Sequence, residues 1–310
     1  MTLTIAESLS VVLPAKNEAE NLSRLIPKLK NSLEQLKGRK PREIIVVNDG
    51  SDDDTEQVCL SMGIKVVSHP YSLGNGAAIK TGTRNAMGEI IVFMDADGQH
   101  DPDDLPRLLE KLYQGYDMAV GARDYSGQAS NARFFANLAY NRLASIMTSF
   151  KIDDLTSGFR AVRSRHFKKF LYLLPNGFSY PTTCTMAFFR SGLPVAYVPI
   201  KAHKRQGKSK IRVLKDGFRF FIIIIKIGAL FSPMRLFLPI SGLLFFLGMS
   251  YYAYTFMAYH RFTNMSALLL TSSLLVFLIG LLSEQISALH YKSSTTETDI
   301  RRTKREPKRE

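Results

Sequence analysis

The chain has 310 residues, 45% of them hydrophobic, enough for one large domain or two modest ones without covalent staples. Its 41 Lys and Arg against 27 Asp and Glu give a net charge of +14, part of it in the terminal run RRTKREPKRE, and a balance of this kind points to an anionic membrane surface or to nucleic acid. Two cysteines, Cys59 and Cys184, exclude a disulfide framework and a cysteine-based zinc cluster, and the six histidines are too scattered to offer paired metal ligands.

The start, MTLTIAESLS, carries Glu7 and no basic run before its short apolar stretch, so no signal peptide is expected and the bulk of the chain is expected in the cytosol. From there to residue 121, apolar runs alternate with helical spacing. Strands are expected at Ser10–Leu13, Glu43–Val47, Lys65–Ser68, Glu89–Met94 and Asp117–Gly121, rich in Val and Ile with little period-2 alternation, as in strands buried on both faces. Helices are expected at Asn21–Leu36, Thr55–Met62, Asn75–Ala86 and Asp101–Tyr113, the last with Asp101 as N-cap and Pro102 in its first turn. This alternation predicts an α/β fold, a mostly parallel sheet with helices on both faces. Ligands of such sheets lie beyond the carboxyl ends of the strands, so chemistry is expected just after each apolar run.

The C-terminal third differs. Leu236–Tyr259 is uncharged over 24 residues and Met265–Ser283 over 19, close to the ~20 needed to cross a bilayer. Basic residues crowd before the first span and after the second, which predicts cytosolic termini. The segment Gly217–Phe231 is too short to span. Arg212, Lys215, Arg219 and Lys226 would form one basic stripe on a helix there, either an interfacial helix or an amphipathic packing helix. The expected organisation is a cytosolic domain over 1–210, an interfacial region over 211–233, two spans over 234–290 and a basic, disordered tail over 291–310.

Gly74-Asn75-Gly76 lacks the third glycine of a dinucleotide fingerprint, and Ile79 stands where a P-loop has glycine. These glycines allow close backbone approach or a tight turn. Asp95-Ala96-Asp97 is the strongest local signal. At a strand end both carboxylates can reach one cation, and magnesium takes one or two carboxylates plus substrate phosphates; the competing reading is a solvated turn. Gln99, His100 and Asp101 add polar groups beside it. Asp49 in Val47-Asn48-Asp49-Gly50-Ser51 either accepts from a base or ribose or caps the next helix. Glu18, in Leu13-Pro14-Ala15-Lys16-Asn17-Glu18, comes to the same edge from the first strand.

The ordered motifs LPAKNEAENL, VVNDGSDDDT, FMDADGQHDPDDL, DLTSGFRAVRS and QGKSK resemble glycosyltransferase family 2, and within it the polyprenyl-phosphate glycosyltransferases, the group of dolichyl-phosphate mannose synthase. The soluble resemblance runs from about Leu9 to Lys210. It implies the GT-A fold of nucleotide-diphospho-sugar transferases and transfer of a hexose from a UDP- or GDP-sugar to polyprenyl phosphate, metal-dependent and inverting. The alternatives are another lipid or glycan acceptor, or a non-catalytic membrane scaffold. The resemblance implies Mg²⁺ or Mn²⁺ at Asp95 and Asp97. It implies nucleotide-sugar contacts at Pro14, Ala15, Glu18, Asp49, Asp95, Gln99, Arg205, Ser209 and Lys210, and reaction-centre roles for Arg123, Arg133, Asp154 and Arg160. Thr156, Ser157 and Gly158 complete the motif around Asp154. Lys204 fills the family's arginine slot in the basic loop, with Arg205 one residue nearer Gly207; a planar fork to phosphate favours Arg205. Partners implied are the donor, the lipid acceptor and the cytoplasmic membrane, with a homo-oligomer left open. The absence of a recognition motif argues against nucleic acid. The absence of tryptophan argues against a processive polysaccharide synthase, whose Gln-x-x-Arg-Trp motif needs one.

Overall fold

The computed structural model describes residues 4–123, 131–177, 180–201, 225, 229 and 231–302, with side chains for these except 131–137, 139 and 290–302. The chain divides into two units, residues 1–145 with 150–212, and residues 146–149 with 213–310.

The first unit is built on a seven-stranded sheet. Its strands are β1 (Leu9–Ala15), β2 (Arg42–Asn48), β3 (Lys65–Ser68), β4 (Ile90–Phe93), β5 (Met118–Arg123), β6 (Arg160–Arg163) and β7 (Val195–Ile200), in the order β3-β2-β1-β4-β6-β5-β7. β1 pairs in parallel with both β2 and β4, so the chain reverses its direction of travel across the sheet at β1/β4, the switch point where α/β sheets bind ligands. The helices are α1 (Ala19–Gln35), α2 (Thr55–Ser61), α3 (Asn75–Asn85), α4 (Leu105–Tyr113), α5 (Asn131–Thr148), α6 (Ser164–Phe167) and α7 (Tyr180–Arg190).

The five predicted strands are present, and burial follows the expectation in β1 and β4, whose apolar residues are enclosed on both faces. β3 is the sheet edge and correspondingly open. Two strands lie outside the sequence expectation. β6 is four residues with arginine at each end, and it inserts antiparallel between β4 and β5. Helix α1 carries the regular apolar stripe Leu22, Leu25, Ile26, Leu29 and Leu33 onto the sheet. Each such side chain contributes about 1.5–3 kcal/mol on full burial. Before α4, Asp101 accepts from the Asp103 backbone N–H as predicted, but the first turn, Pro102–Asp104, is a 3₁₀ turn.

The second unit contains two helices, Pro233–Tyr259 and Asn264–Arg302. Pro233–Tyr259 and Asn264–Leu289 have mean hydropathies of 1.6 and 2.3 and are long and apolar enough to cross a membrane. Phe246, Met257 and Leu282 are exposed, as lipid-facing side chains are. Ser241 Oγ donates to the Ser273 carbonyl at 3.1 Å and Ser273 Oγ returns the bond at 2.9 Å. Small polar residues facing each other in this way are a common device for joining helices in lipid. Glu284 accepts from the Met234 N–H at 3.3 Å, satisfying one open donor of the first helix. The second helix runs to Arg302 and so enters the stretch expected to be disordered; with no Gly or Pro between Gly280 and Pro307, nothing in that stretch stops a helix. The basic stripe of Arg212, Lys215, Arg219 and Lys226 lies outside the described residues.

Candidate active site

The carboxyl ends of β1, β2 and β4 meet at one edge of the sheet, and the loop preceding β6 reaches that edge because β6 runs backwards. The register pairs Phe93 with Arg160, so continuing two residues outward sets Asp95 opposite Gly158. An antiparallel strand thus delivers a loop that comes before it to the edge where parallel strands deliver loops that follow them.

The ends of β1 and β2 lock together. Asp49 N–H donates to the Ala15 carbonyl at 2.8 Å, Asn17 N–H to Ser51 Oγ at 3.0 Å, and Glu18 N–H to Thr55 Oγ1 at 3.0 Å. Asp53, which sequence reasoning did not single out, accepts from the Ala19 N–H at the start of α1, an acid at a helix N-terminus. Pro14 is half-buried, Ala15 buried and Glu18 half-buried, with Asn21 Nδ2 on its Oε2 at 2.5 Å.

The Asp49 carboxylate is filled by this chain. Oδ1 receives His69 Nδ1 at 2.7 Å and the Leu73 N–H at 2.8 Å, and Oδ2 receives Ser72 Oγ at 2.8 Å and the Gly74 N–H at 2.9 Å. Burial pushes this carboxyl's pKa up, but the bonds from His69, Leu73, Ser72 and Gly74 outweigh it and hold the group below its ordinary range. The expectation that Asp49 directly reads a base therefore changes. Its acceptor sites hold the 69–74 loop at the sheet edge.

The glycines that follow have a similar explanation. A Cβ on Gly76 would lie 1.9 Å from the Pro175 carbonyl oxygen, and Gly74 has φ +103°. The first N–H groups of α3 donate to the carbonyls of Gly177 (3.2 Å) and Asn176 (2.8 Å). Close backbone approach is the correct reading, and the partner is the 175–177 segment.

Asp95, Thr156, Gly158, Tyr180 and Asn75 line a small open cleft together with Pro181 and Thr182. The Asp95 side chain is 32% exposed, with His100 at its back. Asp97 is buried and accepts from the Gln99 N–H at 3.2 Å, and Gln99 is half-buried beside it. Tyr180 is buried, and its hydroxyl donates to the Gly158 carbonyl at 3.2 Å. Burial, and then the Asp95 carboxylate, push the Tyr180 pKa well up, so it is a neutral donor. Among the described residues no group of three or more His, Cys, Asp or Glu converges on one point. One carboxylate opening on the cleft, Asp95, with a second, Asp97, buried two residues on, fits a hard divalent cation that takes one or two carboxylates and its remaining oxygens from a bound diphosphate.

Asp154 is fully buried and serves as an anchor. Arg123 donates from Nε to Oδ2 at 2.8 Å and from Nη2 to Oδ1 at 3.0 Å, and Oδ1 also accepts from the Thr156 and Ser157 N–H groups. Arg123 Nη2 further donates to Thr156 Oγ1 at 2.6 Å. The Arg123 side chain stays 20% exposed.

Arg160 calls for a correction. It is wholly buried, with Nε on the Ser157 carbonyl, Nη1 on the Pro181 carbonyl and Thr185 Oγ1, and Nη2 on the Leu155 carbonyl. A guanidinium consumed in this way cannot meet substrate, so it secures the floor of the cleft. Arg133 lies on α5, with its side chain outside the described residues, as are Arg205, Ser209 and Lys210 altogether. Gly158, Tyr180 and Asp53 were not assigned functions by sequence reasoning. Gly158 carried a signal in its place in the motif around Asp154 and Asp53 in its place within VVNDGSDDDT, whereas Tyr180 carried none.

The profile of glycosyl transferase family 2 matches residues 10–171, and that of the GtrB C-terminal hairpin matches residues 232–289. An uncharacterized protein of Methanocaldococcus jannaschii is 30% identical over 204 residues, 63% of this chain and 81% of the relative. A dolichol-phosphate mannosyltransferase of Pyrococcus furiosus is 34% identical over 165 residues, 50% of this chain and 46% of the relative, so the match spans just under half of that protein. Glucosyl-3-phosphoglycerate synthase from Mycobacterium tuberculosis, solved with Mn²⁺ and UDP-glucose, aligns with a TM-score of 0.56 at 23% identity. That alignment covers 71% of this chain and 77% of the synthase, and shows a shared fold.

Proposed function

The chain belongs to glycosyltransferase family 2, and from this premise we propose that it moves a hexose from a UDP- or GDP-sugar to polyprenyl phosphate at a membrane surface. The observation that carries the reading is one chain joining the family's acidic sheet edge, Asp95 and Asp97, to an apolar hairpin of the GtrB C-terminal type. The similarity to a dolichol-phosphate mannosyltransferase supports the lipid acceptor, and the Mn²⁺ and UDP-glucose of the fold relative support the donor and a divalent cation.

Asp95 and Asp97 would hold Mg²⁺ or Mn²⁺, which when bound supplies Lewis-acid stabilisation to a departing nucleoside diphosphate. The loops at the ends of β1 and β2 seat the nucleoside, with Pro14, Ala15 and Glu18 at one wall and the Asp49-held loop at the other. An acceptor phosphate oxygen attacks the anomeric carbon. The carbon–oxygen bond to the diphosphate breaks with its electron pair, and the configuration inverts. A phosphate monoester, with its second pKa of about 6, is largely dianionic at neutral pH and needs little base. This agrees with an Asp154 carboxylate already filled by donors. Arg123, held rigid by Asp154 and Thr156, offers a fixed charge to offset the approaching phosphate. We assign Arg133 to the same task and the basic loop of Arg205, Ser209 and Lys210 to the diphosphate. The hairpin tethers the catalytic unit to the surface where the lipid phosphate lies, with both termini on the cytosolic side.

The test is incubation of detergent-purified protein with Mg²⁺ or Mn²⁺, polyprenyl phosphate and a panel of labelled UDP- and GDP-sugars. Label should pass into the organic phase, and Asp97→Ala should abolish this while leaving membrane insertion intact. Donor binding without lipid-linked label from any sugar would point to another acceptor, and no donor binding would favour a scaffold.

A further inference from the structure

Asp95 has a neighbour whose role the reaction scheme leaves open. The His100 side chain is 2% exposed against 32% for Asp95, and its Nε2 lies 3.5 Å from Asp95 Oδ2. Its ring packs on Phe159 with centroids 5.3 Å apart. Nδ1 is enclosed, with no hydrogen-bond partner among the described residues. Gly98, at φ +73°, turns the chain so that residue 100 comes back towards residue 95.

These facts fix the imidazole's chemistry. A buried N–H with no acceptor costs about 1–3 kcal/mol. An N–H on Nδ1 alone would bury a donor with no acceptor and turn a bare Nε2 towards a carboxylate, so the N–H that matters here is the one on Nε2, facing Asp95. The difference in exposure gives the direction. Asp95 opens forward into the cleft, and His100 stands behind it, enclosed. At 3.5 Å the contact is longer than a good hydrogen bond, and hydrogen bonds at reaction sites often reach full strength only with substrate in place.

We propose that His100 is a positioning residue for Asp95. Its Nε2–H holds the carboxylate from behind in the orientation that receives a divalent cation, as an outer partner and not as a ligand. The proposal rests on the reading of Asp95 and Asp97 as the cation's carboxylates. The backbone at Gly158 bounds the same carboxylate from the loop that precedes β6, since a Cβ there would meet Asp95 Oδ2 at 2.2 Å.

The experiment measures Mn²⁺ binding to the full-length protein in detergent by electron paramagnetic resonance, with UDP and in parallel with GDP, against protein-free controls. The variants are His100→Phe, His100→Gln and Asp95→Ala, each with a thermal melt. We expect His100→Phe to weaken Mn²⁺ binding by about 10–100-fold, the usual effect of losing an outer partner. His100→Gln should recover most of it, because its amide N–H can donate in place of the imidazole. The preference for Mn²⁺ over Mg²⁺ should not change. Wild-type affinity in His100→Phe overturns the proposal. So does loss in both His100 variants with an altered Mn²⁺/Mg²⁺ preference, which would mark a direct ligand. If His100→Phe does not fold, His100→Leu against His100→Gln decides the same question. Wild-type protein that binds no Mn²⁺ with either nucleotide, or Asp95→Ala that binds as well as wild type, would instead overturn the cation reading itself.

Discussion

Asp154 and Asp49 are both buried acids at the cleft edge, and each has its carboxylate oxygens occupied by donors from this chain. For Asp154 the main partner is Arg123, so the two should act as a unit. In a double-mutant cycle of Asp154→Asn and Arg123→Gln, the losses in kcat/KM should be non-additive, with a coupling of about 1–3 kcal/mol. Multiplicative losses would mean that Asp154 has a task apart from the arginine. For Asp49 the consequence is a pH dependence. Its folded-state carboxyl ionises below its ordinary value of 3.8, so the anion stabilises the fold. That contribution is fully present above the unfolded pKa and is lost as pH falls through the folded one. Acid melts should therefore show the stability gap between wild type and Asp49→Asn narrowing below about pH 4. A gap that stays constant or widens in acid would contradict the assignment.

At the scale of elements, β6 matters most. A four-residue strand between arginines carries little apolar signal, yet it brings Gly158 opposite Asp95 and sends Arg160 into the core. Gly158→Ala is the corresponding test. Its Cβ would drive into the Asp95 carboxylate and not into backbone, so the carboxylate must turn. Apparent divalent-cation affinity should fall by about ten-fold or more, with melting close to wild type. A large drop in melting temperature with unchanged cation affinity would show that the glycine serves packing alone.

At the scale of the whole molecule, the chain combines a catalytic α/β unit with an apolar hairpin whose connecting residues, from His260 to Thr263, carry one firm charge, Arg261. The proposed topology sets this link on the far side of the membrane and the C-terminal residues on the cytosolic side. Cys59 and Cys184 are buried, so single added cysteines can report position. With an impermeant thiol reagent on intact cells, Thr263→Cys should label and Thr303→Cys should label only after permeabilisation. The opposite pattern would reverse the orientation.

The sequence by itself determined the α/β alternation, the five strands of its regular part, the two apolar spans and the order of the family motifs. All of these are local patterns of apolar residues, turns and short constellations. It also brought the acids to one sheet edge, because position at a strand end is a local property. Only the tertiary structure decided which of them remain open. Asp49 is filled by a loop some twenty residues away, Asp154 by an arginine on β5, and Arg160 by carbonyls from two separate segments, 155–157 and Pro181. Asp95 keeps a side open to the cleft, with His100 at its back. A carboxylate's chemistry depends on the donors that reach it, and donors arriving from distant parts of the chain leave no periodic trace in the sequence.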